Sequence, residues 1–441
     1  MSVSHWMTFG TFAEQRHFVY PTPRAYAGVV INANMVAYAP SGLASFLLEK
    51  TPSFAYLIDP QTHAFQHEPR AIRTSSGEVR SSILRLAEEY GEPITSCVEG
   101  RRRLLPTDFA ARQRVEEFTA RCLSFQRWKL ATAMESSSVR KYLDAEEASP
   151  PPYALVAPYF YMSETTTESW LPVWQECAEV ALAHADETKV FGAVVVSQGV
   201  LLARNLREMI VDSLEHLGLA GFLLWVDDLS EQTASREALL GLLHLARGLR
   251  GEGTREVINL HGGYFSILAA GVLGKSAMSG VAHGPEFGES RPVVPVGGGI
   301  PIPRYYVPRL HARVRYREAL DLFRAKGWLN SAGTFHSEVC NCDECQRTLS
   351  GDPANFTLYG RAISREVRRN DRFARLEFPT TETKGRCLRH YLQRKAIEYA
   401  FASSASAVQQ VEDLQVGAST LEDVLGPEGV AHLKLWPRVF E

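Results

Sequence analysis

The chain has 441 residues, 45% of them apolar and 22% charged, with a formal net charge of −3. This composition excludes collagen-like, coiled-coil and mostly disordered architectures, and suits one large domain with an appendage or two to three domains. No apolar run approaches the ~18–20 residues of a membrane helix, and the opening MSVSHWMTFG lacks a signal peptide's charged start and apolar stretch, so a cytoplasmic protein with no membrane partner is expected.

Taken in chain order, short β-rich apolar runs alternate with amphipathic stretches. Strands are predicted at Tyr26–Asn32 and Phe54–Asp59. Residues 76–150 follow as a helical insertion of two or three helices, carrying a solvated Arg101-Arg102-Arg103 run and ending in the linker ASPPPY. Strands resume at Tyr153–Pro158, Phe191–Gln198, Gly221–Asp227, Glu256–His261 and Ser276–His283, with a weaker one near Tyr305–Pro308. Helices are predicted between them, at Val200–Leu217 and Ser235–Arg250. About eight strand–helix units, apolar on both strand faces, predict an α/β fold of the (β/α)8 barrel type. The expected division is a barrel start over 1–75, the insertion over 76–150, barrel continuation over 151–330, and a metal-binding subdomain with C-terminal helices over 331–441.

In such a barrel the chemistry gathers at the C-terminal strand ends. Here those ends carry Asn32 and Asn34, Asp59 with His63, Tyr159 and Tyr161, Ser197-Gln198-Gly199, Asp227-Asp228, His261-Gly262-Gly263, and His283 followed by Glu286 and Glu289. A carboxylate directly after FAYLI or FLLWV must be paired or functional once buried, though Asp59 also suits a turn before Pro60 and Asp227-Asp228 also suit a helix cap. Gly262-Gly263 allows close backbone approach to a flat ligand or a tight turn.

Seven cysteines spread over a long chain do not suggest a disulfide framework. Cys340, Cys342 and Cys345 crowd into six residues, and three converging thiolates are best explained by one Zn2+ in a closed, structural site. His390, which opens an apolar-periodic helix, is the favoured fourth ligand; Cys387 and His336 are the alternatives.

A net charge near zero argues against a wholly basic nucleic-acid coat but leaves room for a local basic groove. Pro301–Leu320 holds five arginines, among them Arg304, Arg309, Arg313 and Arg315, interleaved with Tyr305, Tyr306 and Tyr316. Arg361–Arg375 holds six, including Arg368 and Arg369. Arginine mixed with aromatics is the composition of a surface that grips a nucleic-acid backbone.

The Cys-x-Cys-x-x-Cys motif with a later helical histidine resembles the tRNA-guanine transglycosylase superfamily. The passage KVFGAVVVSQGVLLARNLREMIVDSLEHLGLAGFLLWVDDLSE is similar to that family's base-recognition region, placing Gln198, Gly199 and the Trp225–Asp228 turn at the base. The resemblance implies a (β/α)8 barrel with a zinc subdomain and the exchange of a guanine through two aspartates. One attacks the ribose C1′ and the other moves protons. Asp59 matches the proton-handling position. The strand that should supply the nucleophile, Ala277–Gly284, has no aspartate, which leaves Asp227, Asp228, Glu286 or Glu289, or a chain that no longer makes the covalent bond. The passages around His261-Gly262-Gly263 and His283 to Glu289 look most like the branch that inserts a 7-deazaguanine such as preQ0 into DNA. The resemblance therefore implies DNA as partner, with tRNA as the alternative, a 7-deazaguanine base bound by His261, Gly262, Gly263, His283 and Glu286, and other subunits of a modification system. A non-catalytic, zinc-containing nucleic-acid-binding subunit is the reading from a different class.

Overall fold

The computed structural model describes residues 3–10, 26–50, 54–136, 150–253, 255–273, 277–285, 289–294, 302–369 and 372–441. Among these, the residues up to 294 and those from 302 onward form two compact units.

The first unit is an α/β barrel. Its strands are β1 (Ser4–Phe9), β2 (Gly28–Asn32), β3 (Ala55–Asp59), β4 (Leu155–Val156), β5 (Tyr161–Met162), β6 (Val190–Val196), β7 (Gly221–Val226), β8 (Glu256–Asn259) and β9 (Gly280–His283). They run in the order β3-β2-β1-β9-β8-β7-β6-β4, every pair parallel, and β5 also pairs with β6. Because β4 and β5 meet β6 at successive registers, they are one interrupted strand position, and the sheet has eight positions. The Tyr153 amide donates to the Tyr56 carbonyl (2.8 Å) at the seam, leaving the barrel nearly closed. β2, β6 and β7 are buried along their whole length, as strands covered on both faces must be.

One barrel strand was not predicted, and one predicted strand needs correction. The first barrel strand is β1, whose mixed composition SHWMTF conceals it. The stretch near Tyr305–Pro308 is not a barrel strand. It forms β10 (Arg304–Val307), paired antiparallel with β11 (Ala312–Arg315) inside the second unit, so that unit begins ahead of residue 331.

Between β3 and β4 lie the helices Ser81–Tyr90, Ile94–Glu99 and Arg112–Glu135. The last packs against both Pro40–Lys50 and Thr167–Ala183, and so fills a place in the outer helical ring. The ring helices form for local reasons. In Arg236–Arg250, Ser235 caps the amide of Ala238 (3.2 Å) while Leu239, Leu242, Leu243 and Leu249 turn inward.

The second unit adds the helices Tyr316–Ala325, Ala332–Glu338 and Asp343–Leu349, a hairpin of β12 (Ala362–Arg369) and β13 (Arg372–Pro379), and three C-terminal helices, Thr381–Ser404, Ala407–Gly429 and Ala431–Phe440. Among the described residues no helix is long and apolar enough to cross a membrane.

Candidate active site and metal centre

All barrel strands run the same way, so their C-terminal ends share one rim. Asp59 ends β3 and is buried, accepting hydrogen bonds from the Tyr159 hydroxyl (2.6 Å) and the Gln61 amide (3.1 Å). Burial pushes its carboxyl above the ordinary value, although those hydrogen bonds and the charge of Arg291 pull the other way. Asp227, one residue past β7, is half-buried. One of its oxygens accepts from the Tyr161 hydroxyl (3.1 Å) and the other from the Val293 amide (2.7 Å).

Rings line the space around these two acids. His63 stacks on Tyr159 (5.3 Å between centroids) and meets Trp225 edge-on (5.2 Å), and Trp225 meets His261 (4.8 Å). The Trp225 indole donates to the Arg291 carbonyl (3.0 Å). Burial, reinforced by neighbouring imidazoles and Arg291, holds His63 and His261 well below the usual histidine range, so both rings are neutral. His63 Nδ1 is buried with no hydrogen-bond partner among the described residues. A buried polar atom left open in this way is a place for a ligand group.

A further carboxylate lies on the same unit. Glu231 is buried, accepting from the Ser266 hydroxyl (2.5 Å) and the Ser266 amide (3.1 Å) in the first turn of the helix Tyr264–Val272. Burial pushes it up to about 7, with the nearby charge of Glu289 adding to the shift. A Cβ on Gly263 would sit 2.8 Å from Glu231 and 3.0 Å from Glu289, so that glycine keeps the backbone close to two acids.

The remaining expected residues divide by role. Asp228 is exposed, adopts a left-handed φ of 47°, and gives its amide to the Arg291 carbonyl (3.0 Å), so it serves as a turn residue. Gln198 braces that turn through the carbonyls of Asp227 (3.2 Å) and Asp228 (3.1 Å). Gly199 lies where any side chain would strike Glu164, which accepts from Ser197 (2.7 Å). The Gly262 amide donates to Ala282 (3.1 Å), and a Cβ there would press on Val281 and Ser266. His283 is fully buried, its Nε2 lying 2.8 Å from that of His5 on β1, so its ring is engaged inside the barrel. Glu286 lies outside the described residues. Glu231, Arg291 and His67, whose ring meets His63 edge-on (5.7 Å), were not expected at the site. Glu231 carries one weak signal, a lone acid just past the Asp227 turn, and Arg291 carries none.

In the second unit Cys340, Cys342, Cys345 and His390 converge, all buried, with their ligand atoms within 4.8 Å of one another. His390 Nδ1 lies 3.7, 3.4 and 3.3 Å from the three sulfurs. A tetrahedral ion held by three thiolates and an imidazole sets these edges at roughly 3.5 Å. The surroundings fit the same purpose. His390 Nε2 donates to the Tyr306 carbonyl (2.7 Å), which frees Nδ1 for an ion. The hydroxyls of Tyr305 (3.2 Å) and Tyr359 (3.4 Å) both reach the Cys345 sulfur. The residues therefore fit a four-coordinate metal ion. Cys387 and His336 take other partners, the Tyr359 and Cys340 carbonyls.

Tyr305 and Tyr306 are fully buried, Tyr305 stacked on His390 (4.1 Å), so these two rings are core around the centre and not surface, while Tyr316 is half-buried and stacks on Phe356 (5.5 Å). Arg309 is committed to Glu338 (3.0 Å). Arg304 and Arg315 are exposed and face each other across β10–β11, while Arg313 lies over the Tyr391 ring (4.9 Å). Arg368 and Arg369 end β12, with side chains outside the description. No protein-family model and no curated protein matches the chain.

Proposed function

We propose that the barrel exchanges a guanine in DNA for a 7-deazaguanine base. The reading rests chiefly on two acids of different character on one barrel rim. Asp59 is buried and biased toward its protonated form, while Asp227 is half-buried and oriented by a tyrosine and an amide. The carboxylate of Asp227 attacks C1′, forming a C–O bond as the C1′–N9 bond breaks, and Asp59 gives its proton to the departing guanine. The incoming base then passes its N9 proton to Asp59 as N9 bonds to C1′ and Asp227 is released. The neutral ring of His63, with an open nitrogen beside Tyr159 and Trp225, suits recognition of a flat heterocycle. A target within a duplex must be flipped out to reach such a rim.

We assign zinc to the Cys340–Cys342–Cys345–His390 centre. Its donor set suits that ion, and four protein ligands leave no open position, so its role is structural.

The covalent step gives the test. Wild type mixed with DNA, without incoming base, and run on a denaturing gel should show a protein–DNA adduct. Asp227→Ala should show none, and Asp228→Ala should retain it. An adduct that survives Asp227→Ala places the nucleophile elsewhere.

A further inference from the structure

We propose that the β12–β13 hairpin is a duplex-binding arm that lies along the major groove of DNA and holds the flanking phosphates with its arginines. The DNA partner rests on the exchange reading above; the arm itself rests on the observations that follow.

β12 and β13 pair over eight residues each, from Ala362↔Pro379 to Arg369↔Arg372, an arm of ~27 Å, and no third strand joins them among the described residues. Residues 362–366 of β12 are all exposed, as are Phe373 and Arg375 of β13, with Phe373 at 69%. A free two-stranded ribbon is marginal in water and gains no core of its own here. Its root, by contrast, is fixed. Pro379 is buried, the Thr380 amide donates to the Arg361 carbonyl (3.2 Å), and the Thr383 hydroxyl reaches the same carbonyl (2.9 Å). A rigid root carrying an unsupported blade is the form of a reaching element. A major groove ~12 Å wide admits such a two-stranded ribbon.

The charge says what the blade reaches for. Arg361, Arg365 and Arg375 are exposed, and none has a carboxylate at ion-pair distance among the described residues; Arg375 is steadied by the Ser364 hydroxyl (2.8 Å). Positive charge continues beyond the root. Arg304, exposed on β10, faces Arg315 of β11, which also lies 3.9 Å from Glu318, while Arg317, just past β11, is paired with Glu377 of β13 (4.0 Å). Arg304 and Arg315 are like charges directly across the β10–β11 pair, whose repulsion a polyanion relieves, whereas on the arm itself Glu366 stands across from Arg375.

Fluorescence anisotropy of the full chain with a 30-base-pair DNA duplex tests the arm. Arg365→Gln/Arg375→Gln should bind at least tenfold more weakly at moderate salt, and its salt slope should fall by roughly 2, about 0.9 per lost phosphate contact. Arg112→Gln/Arg204→Gln, at exposed helical positions of the first unit, should bind as wild type does. Methylation of guanine N7, in the major groove, should interfere with wild-type binding. Unchanged DNA affinity in the arm variant overturns the proposal, as does tighter, arm-dependent binding of a tRNA. Arm-dependent DNA binding by a protein that exchanges no base would leave the arm standing and remove the exchange reading; normal exchange with an inert arm would do the reverse.

Discussion

A carboxyl group on a barrel rim takes its chemistry from whatever replaces water around it. Asp59 was legible in the sequence because a charge directly after FAYLI has to be accommodated. Glu231 was not, because its burial depends on Ser266 and Gly263, which are distant in the chain. Native Glu231 keeps its proton to about 7, whereas the unfolded chain releases it near 4.5, so the native state binds more protons over that interval. Its contribution to stability is therefore full below pH 4.5 and is lost as pH rises through 7. Relative to Glu231→Gln, wild type should lose about 3 kcal/mol between pH 4.5 and 8, read from urea unfolding at each pH. Parallel pH profiles for the two proteins would contradict this. Tyr159→Phe removes a hydrogen bond that favours the charged form of Asp59, and should raise the apparent pKa on the alkaline limb of the exchange pH profile, where Asp59 loses the proton it must give. An unmoved limb would mean that Asp59 does not set it.

At the scale of elements, hydrophobic runs revealed the strands whose two faces are both covered. They missed β1, where Ser4, His5 and Thr8 interrupt the pattern, and misplaced β10, whose apolar residues serve another core. The helix Thr381–Ser404 shows why such packing escapes periodicity, since it buries charge. Lys395 and Glu398 are both buried, 3.0 Å apart, and Glu398 also accepts from His311 (2.9 Å) and Tyr306. Burial alone would raise the Glu398 carboxyl, yet Lys395 and His311 hold it down at about 2. Lys395→Met should cost roughly 3–5 kcal/mol in chemical denaturation, because it strands a buried carboxylate. A loss below about 1 kcal/mol would show that His311 and Tyr306 compensate by themselves.

At the scale of the whole molecule, a net charge of −3 averages an acid-lined rim with an arginine-rich second unit and so conceals both. The cysteine spacing made the metal centre readable, since three thiolates within six residues leave few other solutions. The fourth ligand had rivals until His390 was seen with Nε2 on the Tyr306 carbonyl and Nδ1 among the sulfurs. Mass spectrometry under native conditions should find one zinc per wild-type chain and none in Cys342→Ala; equal zinc in both would remove the assignment. Base exchange itself is tested most directly by incubating the protein with labelled preQ0 and either DNA or tRNA. Label should enter DNA and not tRNA, and Asp59→Asn should reduce incorporation at least a hundredfold. Label in neither nucleic acid, or incorporation that survives the loss of Asp59, would contradict the account.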